Sequence, residues 1–156
     1  MRLTSFTDYT LRVLIYLGIR READDQLATI ADIANAYGIS QNHLMKVVHH
    51  LSRAGYVETL RGHGGGMRLA MAPGQINIGD VVRGAEESFA VVACLEEGNV
   101  DCPITGICAL RGVLKAATAA FIDVLDKQTL ADLLQPGRAL LRTFTRQQSR
   151  TGDRTG

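Results

Sequence analysis

Cys94, Cys102 and Cys108 are the only cysteines of this chain, and all three lie within fifteen consecutive positions. Three thiols cannot all pair as internal disulfides, so at least one stays free. Three thiolates can instead hold a soft metal (zinc, Cu(I) or an iron–sulfur cluster) and leave one coordination position for another donor. Pro103 restricts the loop beside Cys102, and Cys108 stands just before a strong helical pattern. The run therefore reads as a cofactor loop. On residue type alone, two other readings compete: three small core residues, or a zinc site. Glu96, Glu97 and Asp101 are oxygen donors within the loop. Asp8 is far away in sequence. It lies four residues before Arg12, where an ion pair or an interaction with a helix N-terminus is the ordinary role of a carboxylate.

A second group of residues suits contact with nucleic acid. Gln41, Asn42, His43 and Lys46 follow Ser40, a good helix cap, at the start of an amphipathic pattern. Gln and Asn match adenine edges, and Lys reaches guanine or phosphate. A solvated polar helix face is the plain alternative. Arg61 and His63 stand in the glycine-rich run Arg61-Gly62-His63-Gly64-Gly65-Gly66, and an Arg at such a tip fits a narrow minor groove. The run lacks the Lys-Ser/Thr and following helix of a phosphate loop, so it is not read as a nucleotide site.

The elements that must position these residues follow in order. Ser5 or Thr7 caps a first helix to about Arg20, apolar nearly all round and hence buried. Thr29 caps a second helix, Ile30 to Tyr37, with Ile30, Ile33 and Ala34 inward, and Gly38 stops it. Ser40 starts a third, Gln41 to Ala54, with Leu44, Val47, Val48 and Leu51 as its core face and Gly55 as its end. Two short helices about a glycine turn form a helix-turn-helix. Residues 56–60 and 67–71 alternate as strands around the glycine tip. The whole predicts a mainly α fold with a small β-hairpin, a winged helix-turn-helix over residues 1–72.

Residues 73–135 form the second part. Pro73-Gly74 breaks the chain, residues 78–85 read as a short helix, and the cysteine loop follows. A long helix then runs from Cys108 to about Lys127. Its apolar residues Leu110, Val113, Leu114, Ala117, Phe121, Val124 and Leu125 make a seam able to pair with a second copy, so it is read as a dimerisation helix. Thr129 caps a last turn. Residues 136–156, rich in Arg, Thr, Gln, Ser and Gly toward the end, are expected to be a disordered tail.

Composition adds bounds. The net charge is +1, divided unevenly: residues 1–70 hold eight Lys/Arg, six Asp/Glu and all four histidines, whereas residues 71–127 hold four Lys/Arg and eight Asp/Glu. The basic excess permits nucleic-acid binding without demanding it. No run approaches the roughly 18 apolar residues of a membrane span, and the start lacks a signal-peptide pattern. Three unpaired thiols suit a reducing cytoplasm. No nucleophile–base–acid set suggests an enzyme.

Several runs resemble the bacterial iron–sulfur winged-helix repressors, closest to their nitric-oxide-sensing branch. They are residues 1–12 (Met1-Arg2-Leu3-Thr4-Ser5-Phe6-Thr7-Asp8-Tyr9-Thr10-Leu11-Arg12), residues 38–48, the wing 61–66 and the three cysteines. The resemblance covers residues 1 to about 135. It implies a homodimer that binds palindromic promoter double-stranded DNA while a [4Fe-4S] or [2Fe-2S] cluster on Cys94, Cys102 and Cys108 is intact, and leaves it when nitric oxide attacks. It also implies a fourth ligand other than cysteine. Where the cluster-biogenesis branch has a histidine after the last cysteine, this chain has Arg111. The carboxylate that the nitric-oxide branch takes from the other subunit corresponds to Asp8. The seven-residue gap between Cys94 and Cys102 is longer than the family pattern. Alternative readings are a regulator sensing iron supply, oxygen or redox state, a zinc-stabilised regulator, and a small thiol or electron-transfer protein.

Overall fold

A single helix runs through the middle of the molecule and touches most of the other elements. In this computed structural model, which describes residues 2–23, 26–62, 64–98, 102–137, 139 and 142–144, that helix is α1, Ser5–Ala23. Its sequence is apolar on nearly every side, so partners can cover it from all directions. Val13, Leu14, Tyr16, Leu17 and Ile19 are buried in it, as are Thr7 and Thr10. Thr10 satisfies its hydroxyl by donating to the Phe6 carbonyl at 2.8 Å. The capping residue is Thr4, not Ser5 or Thr7: the Thr4 Oγ1 accepts from the Thr7 N–H at 3.2 Å. The helix also continues one turn beyond Arg20.

The helix-turn-helix forms as its local signals dictate. In α2 (Ile30–Tyr37), Thr29 and Asp32 make a reciprocal capping box. Gly38, at φ 67°, ends the helix in the left-handed conformation that a Cβ disfavours. Ser40 caps α3 (Gln41–Arg53), whose Leu44, Val47, Val48 and Leu51 are buried. Of the three residues expected to face inward on α2, Ile33 and Ala34 are buried and Ile30 is half-buried.

Strands β1 (Val57–Leu60) and β2 (Gly66–Leu69) pair antiparallel, from Val57 opposite Leu69 to Leu60 opposite Gly66. Ala28 adds an edge by exchanging hydrogen bonds with Met67 at 3.0 and 2.8 Å. A side chain at Gly66 would meet the Ala28 carbonyl oxygen at 2.8 Å, which explains glycine there.

The chain then returns to the same core. Ile76 and α4 (Ile78–Ala85) contribute Ile78, Val81 and Val82, and α6 (Leu130–Leu133) contributes Leu130, with Leu134 just beyond it. Leu134 lies so close to α1 that a Cβ on Gly18 would sit 2.6 Å from its Cδ1. Between α4 and α6 the chain makes its excursion through the cysteine loop and α5 (Ala109–Asp126). The excursion ends at a polar junction. Asn77 Nδ2 donates to the Asp126 carbonyl at 2.7 Å, and the Ile78 N–H to the Gln128 carbonyl at 3.0 Å. In the stretch beyond 136, Phe144 is buried and packs on Tyr16 and Tyr37 with ring centroids 5.3 and 5.1 Å apart. Residues 145–156 lie outside the described residues. Among the described residues, no helix is long and apolar enough to cross a membrane.

Candidate functional site

The third helix presents a polar face because its apolar residues are spent on the core. Leu44, Val47, Val48 and Leu51 point inward, so helical periodicity turns Asn42, Lys46, His49 and Arg53 outward. Gln41, His43 and Met45 are exposed beside them. Ser40 Oγ accepts from the His43 N–H at 3.4 Å, and a helix N-terminus is a favourable end for phosphate. His43 and His50 occupy the flank toward α1. Tyr9 lies beside His43 at 6.1 Å, and Phe6 meets His50 edge-on at 5.3 Å. The pose of α3 is thus set by the first two turns of α1, a pairing that no local signal announces.

The wing stands at the edge of the hairpin. Glu58 and Arg68, opposite each other in register, form an ion pair across the strands. Arg61 is exposed at the tip, and Gly62 and Gly64 have φ of 112° and 81°. His63 lies outside the described residues.

The cysteine loop is built against the start of α5. Cys94 lies in a 3₁₀ turn, Ala93–Leu95, and its carbonyl accepts from Arg111 Nε at 3.2 Å. The Cys102 carbonyl accepts from both the N–H and the hydroxyl of Thr105, at 3.0 and 2.7 Å. Cys108 is the cap residue of α5 and makes no side-chain cap bond, which leaves its thiol at the positive end of the helix dipole. All three thiols are half-buried and none is in a disulfide. As a donor set, three thiols outside any disulfide, one of them at a helix N-terminus, fit a soft, anionic centre such as an iron–sulfur cluster. Among the described residues, however, no three His, Cys, Asp or Glu side chains converge on one point. The donors are of the right kind and are not gathered within one chain.

Asp8 is not with them. Its carboxylate pairs with Arg12 Nε at 3.0 Å, both side chains remaining substantially exposed. The Arg12 guanidinium also lies 5.5 Å over the Tyr37 ring. Glu86 links the two regions: its Oε1 accepts from the Thr4 N–H at 2.7 Å and from its hydroxyl at 3.1 Å. The segment leading into the cysteine loop is therefore tied to the first turn of α1. A cleft of about 800 Å³ between this segment and α5 is lined by Phe89, Leu95, Arg111, Lys115 and Ile122.

Helix α5 has no buried residue. Leu110, Val113 and Val124 of the expected seam are exposed, and Ile107 in the loop before them is 87% exposed. An apolar strip of this length marks a contact surface.

Comparison with known proteins agrees with this architecture. The model of the Rrf2 family, described as an iron-dependent transcriptional regulator, matches residues 3–136. The chain is 50% identical to the HTH-type transcriptional regulator NsrR of Bacillus subtilis over 135 residues, 86% of this chain and 91% of that protein. It is similar to the crystal structure of a transcriptional regulator from Listeria innocua, with a TM-score of 0.69 and 30% identity over 86% of this chain and 87% of the other. It is also similar to CymR, the global cysteine regulator of B. subtilis, with a TM-score of 0.68 and 27% identity over 85% and 95%.

Proposed function

The chain belongs to the Rrf2 family of transcriptional regulators, and on that premise we propose that it is a nitric-oxide-responsive repressor acting as a homodimer on palindromic promoter DNA. One observation carries this reading. The helix capped by Cys108 has no fully buried residue in its own subunit, leaves Leu110, Val113 and Val124 exposed, and ends in a polar junction with the core. Sensing loop, dimer contact and DNA-binding part are thus consecutive pieces of one chain. A two-fold dimer supplies the two recognition helices that half-sites about 34–36 Å apart require.

Cys94, Cys102 and Cys108 would hold the cluster, with Asp8 of the partner subunit as the fourth donor. A bound iron–sulfur cluster would supply iron to which a small diatomic such as nitric oxide binds. The chain's own part is positional. Glu86 fastens the loop segment to Thr4, and the same helix start carries Asp8, Phe6 and Tyr9, of which the last two pack against His50 and His43 of α3. A shift of the loop would therefore reach the recognition helix through α1. A 100-fold loss of operator affinity needs only about 2.8 kcal/mol of difference between the two arrangements.

The test is anaerobic absorption spectroscopy with iron and acid-labile sulfide analysis, followed by operator binding with nitric oxide titrated against oxygen exposure and iron chelation. Brown protein that releases DNA on nitric oxide supports the reading. Release on chelation alone favours iron supply as the input, the reading that the iron-dependent description of the family supports. Cys94→Ala, Cys102→Ala and Cys108→Ala should each lose the cluster and tight binding. Equal operator affinity of such a variant and the parent would sink the mechanism. A colourless protein after anaerobic reconstitution would leave a regulator with zinc or free thiols.

A further inference from the structure

The winged part of the molecule hides its apolar side chains well. Among its described residues, the large apolar side chains left exposed are Met45, 50% exposed, and Leu60, 44% exposed. The other exposed large apolar residues lie between Val92 and Val124, on the cysteine loop and the dimer helix. The two exceptions are not scattered. Leu60 lies at the root of the wing and Met45 on the recognition helix, the two elements that face DNA in this architecture. Leu44, Val47, Val48 and Leu51, the other aliphatic residues of α3, are at most 6% exposed. Met45 thus falls outside the core pattern of its helix. It is three residues from Asn42 and four from Gln41 and His49, so it is a surface neighbour of all three.

We propose that Met45 reads a thymine in the major groove through the C5-methyl group. The proposal rests on the DNA-binding reading above and adds a base-specific contact to it. A polar side chain on this face distinguishes bases by donors and acceptors, whereas the thymine methyl is the one apolar feature of the major-groove edge. Met has an unbranched, polarisable side chain that adapts its shape to such a contact. Asn42, its neighbour one turn earlier, suits an adjacent adenine. The pair would favour an A·T-containing step in each half-site.

The experiment uses the full-length protein, prepared anaerobically, to select binding sites from random duplex libraries made with either thymidine or deoxyuridine, which differ only in that methyl. The parent should show a thymine position whose preference fades in the deoxyuridine library. Met45→Ala should lose the same preference in the thymidine library and keep the others. On the selected site, replacing that thymine by deoxyuridine should weaken the parent about fourfold, the ratio that one buried methyl supplies, and should leave Met45→Ala unchanged. Met45→Leu should restore the sensitivity. Because Met45 is exposed, the variants should melt with the parent. Equal cost of deoxyuridine in the parent and in Met45→Ala would overturn the proposal, as would the lack of any methyl-dependent position. Failure to enrich any sequence would overturn the DNA-binding reading itself, and Met45 with it.

Discussion

Gly79→Ala should loosen the junction between α4 and α5. A Cβ at Gly79 would fall on Asp126 Oδ1, 2.9 Å from its Cγ and 3.1 Å from its Cα. The carboxylate can swing away, at the expense of its ion pair with Arg83, an exposed interaction of small weight. The Cα cannot swing. It is part of the last residue of α5, whose carbonyl is held by Asn77 and whose exit is held by the Ile78–Gln128 hydrogen bond. The two helices must separate by a few tenths of an ångström (an order-of-magnitude figure) in a packed interface, where overpacking costs about 1–3 kcal/mol. Alanine regains about 1 kcal/mol over glycine as a helix former. The net loss should be up to about 2 kcal/mol, read as a lower urea midpoint at matched protein concentration. Adding Asp126→Ala removes the side-chain collision and leaves the 3.1 Å approach to the Cα, so the double variant should recover part of the loss. A Gly79→Ala protein more stable than the parent by the full helix-propensity gain of about 1 kcal/mol would refute the idea that α4 and α5 are held at this separation.

Three further outcomes follow from the same geometry. Phe144→Ala should cost up to about 3 kcal/mol, near the low end for a buried Phe, and should speed proteolysis at Arg142; unchanged proteolysis would show that the aromatic contact with Tyr16 and Tyr37 does not hold this segment. Burial pushes the Tyr37 phenol up to about 12, with the nearby Arg12 guanidinium opposing it. The unfolded phenol ionises near 10, so the stability from keeping Tyr37 neutral is complete below pH 10 and is lost as pH rises through about 12. Tyr37→Phe should remove that part of the alkaline decline in urea midpoint, and superimposable pH profiles would contradict it. Thr29→Ala, which breaks the capping box with Asp32, should cost about 1 kcal/mol by the same measurement; no change would mean that the cap is not holding α2.

Much of the architecture was legible residue by residue. Thr29 and Ser40 mark helix starts because their side chains bond N–H groups three residues away, and Gly38 marks a stop because only its own backbone must turn left-handed. The glycine run between two alternating stretches marks the wing, and the resemblance of these runs to iron–sulfur winged-helix repressors led to the family that the comparisons show. The helix after Cys108 was plain from its periodicity.

Other features depended on contacts between distant parts of the chain. Thr4, Ser5 and Thr7 are all acceptable caps locally, and the choice of Thr4 comes with Glu86, 82 residues away. Nothing near Phe144 in a polar tail announces the ring cluster on Tyr16 and Tyr37. The role of α1 as the support of His43 and His50 could not be read from its all-round apolarity, which says that it is covered and not by what. Met45 carried a faint signal, an apolar residue outside the core periodicity of its helix, but its meaning needed the fold to show how few such residues the winged part leaves exposed. Caps, turns and amphipathic faces are settled by forces within a few residues, so the sequence by itself determined the elements and their order. Which faces meet, which polar group satisfies which, and what remains exposed are settled by packing among elements far apart in the chain, and only the tertiary structure decided them.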